Sequence, residues 1–138
     1  MTKIFADSNF FIALSNPDDT LNEIAIQRSR EIRDKKLPIV ISRFIFSETV
    51  TVLSQRTNRQ IAINAGIDML SGQIGIVEID QRVSDAAWKI FQDIGKKNMS
   101  FVDCSILAIM QAEGISKLLT FDREDFSNLR RTYDFSFY

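Results

Sequence analysis

Short apolar runs alternate with longer amphipathic ones along the chain. Residues 3–6 read as a strand, and Phe10-Phe11-Ile12-Ala13-Leu14 begins a short helix over 10–15 that Asn16-Pro17 closes. Asp18-Asp19-Thr20 can start a second helix running to about Lys36, with Leu21, Ile24, Ala25, Arg28 and Ile32 near helical spacing. Lys35 and Lys36 fall in its last turn, where cations complement the helix dipole. Pro38-Ile39-Val40-Ile41 is the next strand, followed by helices over 43–57 and 59–71, the latter ended by Ser71-Gly72. A third strand spans 74–79. Helices follow over 81–97 and 101–113, the second closed by Gly114. Lys117-Leu118-Leu119-Thr120 is a fourth strand, and Phe135-Ser136-Phe137 can add a short edge strand. Strands separated by helices imply parallel βαβ units with helices on both faces. The expected fold class is therefore α/β, an α/β/α sandwich around a mainly parallel sheet of four to five strands.

The polar residues that interrupt this pattern are the informative ones. In "FADSNFFIAL", residues 5–14, Asp7, Ser8 and Asn9 sit between a buried strand and a buried helix. A carboxylate there is costly to bury without compensation. It either caps the helix that follows or stands at the carboxyl end of a parallel strand, where open α/β sheets place their sites. In "SFVDCSILAIM", residues 100–110, Asp103 has Ile106, Leu107 and Met110 on its own helix face. A capping box with Ser100 explains an acid at that point, but not a face built for burial. In "SRFIFSETVTVL", residues 42–53, Glu48 lies among Phe44, Ile45 and Val52; its plainer reading is a solvated side chain on a half-exposed helix. Asp122 follows the fourth strand as Asp7 follows the first; it could equally cap a turn, and Asp125 competes with it.

Composition narrows the chemistry. With 138 residues, 45 % apolar and 25 % charged, the chain has the make-up of one globular domain, expected to span residues 1–138. No run approaches the roughly 18 apolar residues of a membrane span, and the opening stretch does not read as a signal peptide. No membrane association is expected, and the lone cysteine, Cys104, fits a reducing cytoplasm. A net charge of −1 argues against a uniformly basic nucleic-acid binder, so any RNA contact must come from a local patch. The absence of histidine removes the commonest general base and histidine-ligated zinc. In a doubly wound sheet Asp7 and Asp122 lie on one rim, and Asp103 and Glu48 can reach the same crevice. Four such acids repel, raise one another's pKa values, or hold a cation, and an oxygen-only ligand set suits Mg²⁺ or Mn²⁺.

These stretches together resemble the PIN-domain ribonucleases, especially the toxin nucleases of VapBC toxin–antitoxin modules. The resemblance runs over essentially the whole chain: "FADSNFFIAL", "FSETVTVL", "SFVDCSILAIM" and "LLTFDREDFSNLR" stand in the family's order and spacing. It implies a metal-dependent endoribonuclease whose acids are Asp7, Glu48, Asp103 and Asp122. One or two Mg²⁺ or Mn²⁺ ions would organise the attacking water and leave a 5′-phosphate. Ser8 or Asn9 would support Asp7, Thr120 would help position the site, and Asp125 would assist Asp122 or cap a turn. The resemblance also implies a homodimer and a cognate antitoxin that inserts a basic side chain into the acidic pocket.

Other residues have plainer readings. Trp88 reads as core or dimer contact rather than a base-stacking platform. Cys104 reads as a buried small hydrophobe. Arg43, Arg56, Arg59, Arg123, Arg130 and Arg131 could meet phosphate; of these Arg43 and Arg123, which adjoin the motifs, are the expected RNA contacts. Two alternatives remain: a housekeeping nuclease of ribosomal or transfer RNA processing, and a PIN-like module that binds RNA or protein without cleaving. A receiver domain also gathers acids at strand ends, but it needs a lysine at the end of a late strand, and Lys117 begins its strand.

Overall fold

Ile4–Ala6 forms strand β1, the axis of the fold. All three side chains are fully buried, as expected for a strand with neighbours on both edges and helices on both faces. The structure is a computed structural model that describes residues 2–138. After β1 come α1 (Ser8–Ser15), α2 (Asn22–Asp34), β2 (Ile39–Ser42), α3 (Arg43–Arg56), α4 (Arg59–Met69) and β3 (Ile74–Val77). Then follow α5 (Gln81–Asp93), α6 (Phe101–Glu113), β4 (Lys117–Leu119), α7 (Arg123–Ser127) and β5 (Ser136–Phe137). The five strands form one sheet in the order β3-β2-β1-β4-β5, and every pairing is parallel. Right-handed crossovers therefore carry α1 to α4 over one face and α5 to α7 over the other. The direction of travel reverses beside β1, so the carboxyl ends of β1 and β4 border the switch-point crevice.

Local chemistry sets the boundaries. Five helices start on a side chain that accepts from a free helix N–H: Asp7 from Ser8, Ser42 from Ile45, Asn58 from Ile61, Asp80 from Val83 and Ser100 from Asp103. Gly114 ends α6 at φ 67°, a left-handed conformation that costs glycine little. The second helix begins at Asn22 rather than at 18–20. The Asn16 and Asp19 side chains accept from the Asp18 and Leu21 amides, folding 16–21 into turns. β3 stops at Val77 rather than 79, because its partner β2 ends at Ser42, which turns away to cap α3. α5 stops at Asp93 rather than 97, short of Gly95 at φ 64°. Helix α7 was not expected from the sequence; at five residues it carries too little periodicity to be read. The tail does add an edge strand, with Lys117 opposite Ser136 and Leu118 opposite Phe137.

The main core fills both faces of the sheet, from Phe5, Phe10 and Ile41 on the early strands and helices to Ile106, Leu107, Ile109 and Phe126. Each such side chain contributes about 1.5–3 kcal/mol when taken fully out of water. Ile12, Leu53, Ala62 and Ala65 form a smaller cluster where α1, α3 and α4 meet. These packed layers hold the carboxyl edge rigid, which is where the polar interruptions converge. Among the described residues no helix is long and apolar enough to cross a membrane.

Candidate active site

Asp7 leaves β1 and caps α1, so both readings of its position hold at once. It is 3 % exposed. Its Oδ1 accepts from the Ser8 amide at 2.8 Å, and its Oδ2 accepts from the Thr120 hydroxyl at 2.9 Å. The Thr120 oxygen in turn accepts from Asn9 Nδ2 and from the Asp122 amide, both at 3.1 Å. With its lone pairs used, that hydroxyl has its proton free for Asp7. Asn9 closes the ring by accepting from the Phe121 amide at 3.0 Å. The start of α1 and the end of β4 are thereby locked together by side chains whose polar atoms are satisfied.

Three further acids face this corner. Asp103 lies in the first turn of α6 in the expected capping box: Ser100 donates its amide to Asp103 Oδ2 at 3.0 Å, and Asp103 donates its own amide to Ser100 Oγ. Glu48, on α3, accepts from the Ser8 hydroxyl at 2.6 Å. Asp122 stands exposed before α7, and its side chain makes no capping bond.

Electrostatics shows that the four acids sense one another. Burial, reinforced by the Asp103 charge, pushes the Asp7 carboxyl up to about 7, against the lowering bonds from Thr120 and Ser8; Glu48 adds a smaller push. Asp103 is raised by burial and, more weakly, by Glu48 and Asp122, with its bonds to Ser100 opposing. Asp7 is thus held by donors that want a charge in a place that disfavours one. A hard dication resolves that conflict, and four carboxylates offer only the oxygen ligands it prefers. Among the described residues no group of three such side chains is gathered tightly enough to hold an ion as it stands. The set fits a dication in donor type and charge, while its carboxylates remain spread.

Ser8, Asn9, Glu48, Phe121 and Asp122 line one cavity of about 350 Å³, together with Ile12, Asp19, Leu21, Val52 and Arg56. Asp7 and Asp103 lie outside its lining. Asp125 is on α7, with its backbone carbonyl held by Lys96 at 2.9 Å. Arg43 pairs with Glu78 at 2.9 Å on the surface. Arg123 donates to the Tyr138 carbonyl at 2.9 Å and lies over the Phe137 ring. Both guanidiniums expected to meet RNA are therefore engaged within the protein. Arg56 was not singled out above the other arginines, although Glu48, Val52 and Arg56 follow at four-residue steps, a spacing that gave the signal. Trp88 is 53 % exposed and stacks on Phe91, so it is not core. Cys104 is buried as expected, and burial pushes its thiol up to about 11.

Comparison with known proteins agrees with this fold. The profile of the PIN domain matches residues 4–132. The 23S rRNA-specific endonuclease VapC20 of Mycobacterium tuberculosis is 30 % identical over 125 residues, covering 90 % of this chain and 92 % of the relative. The crystal structure of that protein, described as a Sarcin-Ricin loop cleaving toxin, superposes with a TM-score of 0.81 at 27 % identity, covering 92 % of this chain and 95 % of the other. VapBC2 from Rickettsia felis, bound to a promoter DNA fragment, shares the fold with a TM-score of 0.71 at 13 % identity, covering 99 % and 98 %. With a parallel sheet in this order, acids at its switch point and a profile match over most of its length, the chain belongs to the PIN-domain family.

Proposed function

We propose that this chain is a metal-dependent endoribonuclease and the toxin of a toxin–antitoxin pair. The observation that carries the reading is the convergence of Asp7, Glu48, Asp103 and Asp122 on the switch-point edge, with Asp7 buried and raised by its neighbours. VapC20, a toxin named for cleaving 23S rRNA, supports RNA as substrate. Asp7, Asp103, Glu48 and Asp122 would hold Mg²⁺ or Mn²⁺. When bound, the ion supplies charge neutralisation and an activated water for phosphodiester hydrolysis.

The chain's own residues do the positioning. Thr120 and the Ser8 amide fix both oxygens of Asp7. The Ser8 hydroxyl holds Glu48, and Ser100 holds one oxygen of Asp103, leaving the other without a protein donor. Thr120 also binds the Asp122 amide, which ties the fourth acid to the first. Asp125, in the first turn of α7, donates its backbone amide to the Asp122 carbonyl at 3.2 Å. The reading extends to a cytoplasmic homodimer. Phe44, Trp88 and Phe91 stand exposed and pack with Phe101 as an aromatic face suited to a second copy.

The test is single-turnover cleavage of labelled ribosomal RNA by wild type and Asp7→Asn. Mg²⁺ and Mn²⁺ are expected to support cleavage, Ca²⁺ to support little, and Asp7→Asn to lose at least a hundredfold. Undiminished cleavage in excess EDTA by protein shown to be metal-free would overturn the reading.

A further inference from the structure

Glu48, Val52 and Arg56 form one stripe of α3, and all three line the cavity that also contains Ser8, Asn9 and Asp122. Arg56 is the cation in that wall. The surface ion pairs are Arg28 and Lys35 with Glu31, Arg43 with Glu78, and Lys89 with Asp93. Among the described residues Arg56 forms no such pair, although three acids, Asp19, Glu48 and Asp122, share its cavity. Eight residues separate Glu48 from Arg56, about 12 Å along the helix axis. Helical side chains lean toward the helix N-terminus, which turns Arg56 up α3 toward Glu48 without closing that gap. A cavity of about 350 Å³ lies between them.

We propose that Arg56 grips a phosphate of the RNA strand beside the one being cleaved, and that the cavity between α1, α3 and the β4–α7 turn is the path by which the strand reaches the acids. The proposal rests on the nuclease reading and assigns its binding track. A planar guanidinium forks onto two phosphate oxygens, giving register to a strand that acids alone would repel. Phosphate contacts position without reading sequence, so Arg56 is a positioning residue whose loss acts on binding rather than on the chemical step.

The experiment measures kcat, KM and their salt dependence for wild type, Arg56→Ala and Arg56→Lys, with a labelled single-stranded RNA oligonucleotide and Mn²⁺. Arg30→Ala, on the exposed side of α2, is the control. Arg56→Ala is expected to raise KM about tenfold with kcat within about twofold, and to make the log–log salt slope shallower by about 0.7. Arg56→Lys is expected to keep the slope and recover part of the affinity. The same variants are titrated with the RNA in Ca²⁺, so that binding is read without cleavage. An unchanged KM and affinity in Arg56→Ala, an equal loss in Arg30→Ala, or a loss confined to kcat would each overturn the assignment. So would weakened capture of a purified cognate antitoxin with RNA binding intact, which would give Arg56 to a protein partner. Wild type that binds RNA but shows no metal-dependent cleavage would sink the nuclease reading alone. The Ca²⁺ titration then still decides Arg56, a loss in Arg56→Ala supporting the phosphate contact and no loss overturning it.

Discussion

The two sides of the acidic rim are built differently. On the Asp7 side, Asn9, Thr120 and the amides of Ser8, Phe121 and Asp122 form a closed ring of hydrogen bonds around a buried carboxylate. On the other side, Asp103 and Glu48 each spend one oxygen on a serine, and Asp122 spends none. The first side is a fixed frame. The second is adjustable, with oxygens left over for a ligand. On the proposed reading, rigidity at one acid would fix where a cation sits and leave the other acids free to close around it.

The largest test of this contrast is pH. In the metal-free protein the folded Asp7 titrates at about 7 and the unfolded one at about 3.8. Between those values the folded state binds more protons than the unfolded, so stability falls as pH rises through that window. The stabilising proton is fully present below pH 4 and lost above pH 7. Denaturant melts in EDTA are expected to show wild type up to about 4 kcal/mol weaker at pH 8 than this group alone would give at pH 4, and Asp7→Asn flat by comparison. Parallel curves for the two proteins would break the contrast.

Next in size is the ring itself. Thr120→Val keeps the shape but strands the Asp122 amide and leaves Asp7 Oδ2 and Asn9 Nδ2 only their 3.5 Å bond to each other. It is expected to lower stability by about 2 kcal/mol in urea titration, whereas Asp122→Ala on the adjustable side changes it by less than about 0.5 kcal/mol. Equal costs would mean that both sides are equally fixed.

The smallest shift sharpens the comparison. Asp103→Asn keeps an oxygen to accept from Ser100 while removing the charge that raises Asp7. Thermal melts in EDTA near pH 8 are expected to show a gain of about 0.5–1 kcal/mol, together with loss of at least a hundredfold in cleavage. A destabilised but active variant would reduce Asp103 to a helix cap.

Much of this frame was legible in the sequence, because buried strands and capped helices leave strong local signals. Ile4-Phe5-Ala6 reads as a central strand from apolarity alone, and Asp103 stands out because its helix face is otherwise apolar. The four acids could be gathered because parallel topology sends every strand's carboxyl end to one edge. What could not be read was how each side chain is engaged. Arg43 and Arg123 adjoin the motifs in sequence, yet Glu78, 35 residues on, and the tail carbonyl of Tyr138 claim their guanidiniums. Arg56 lies three residues past the FSETVTVL stretch, and α3 carries it along the stripe that Glu48 begins. Trp88 has apolar neighbours on its helix, and only the packing of α5 against α6 shows that it faces outward.

The hydrogen bond from Thr120 to Asp7 spans 113 residues. Its two ends meet only after β4 pairs with β1. A chain still emerging from the ribosome has Asp7, Glu48 and Asp103 but lacks the strand that orders the first of them. Domains fold as units once their long-range pairings are available. The acidic corner therefore assembles among the last contacts of synthesis, once β4 is available to pair with β1.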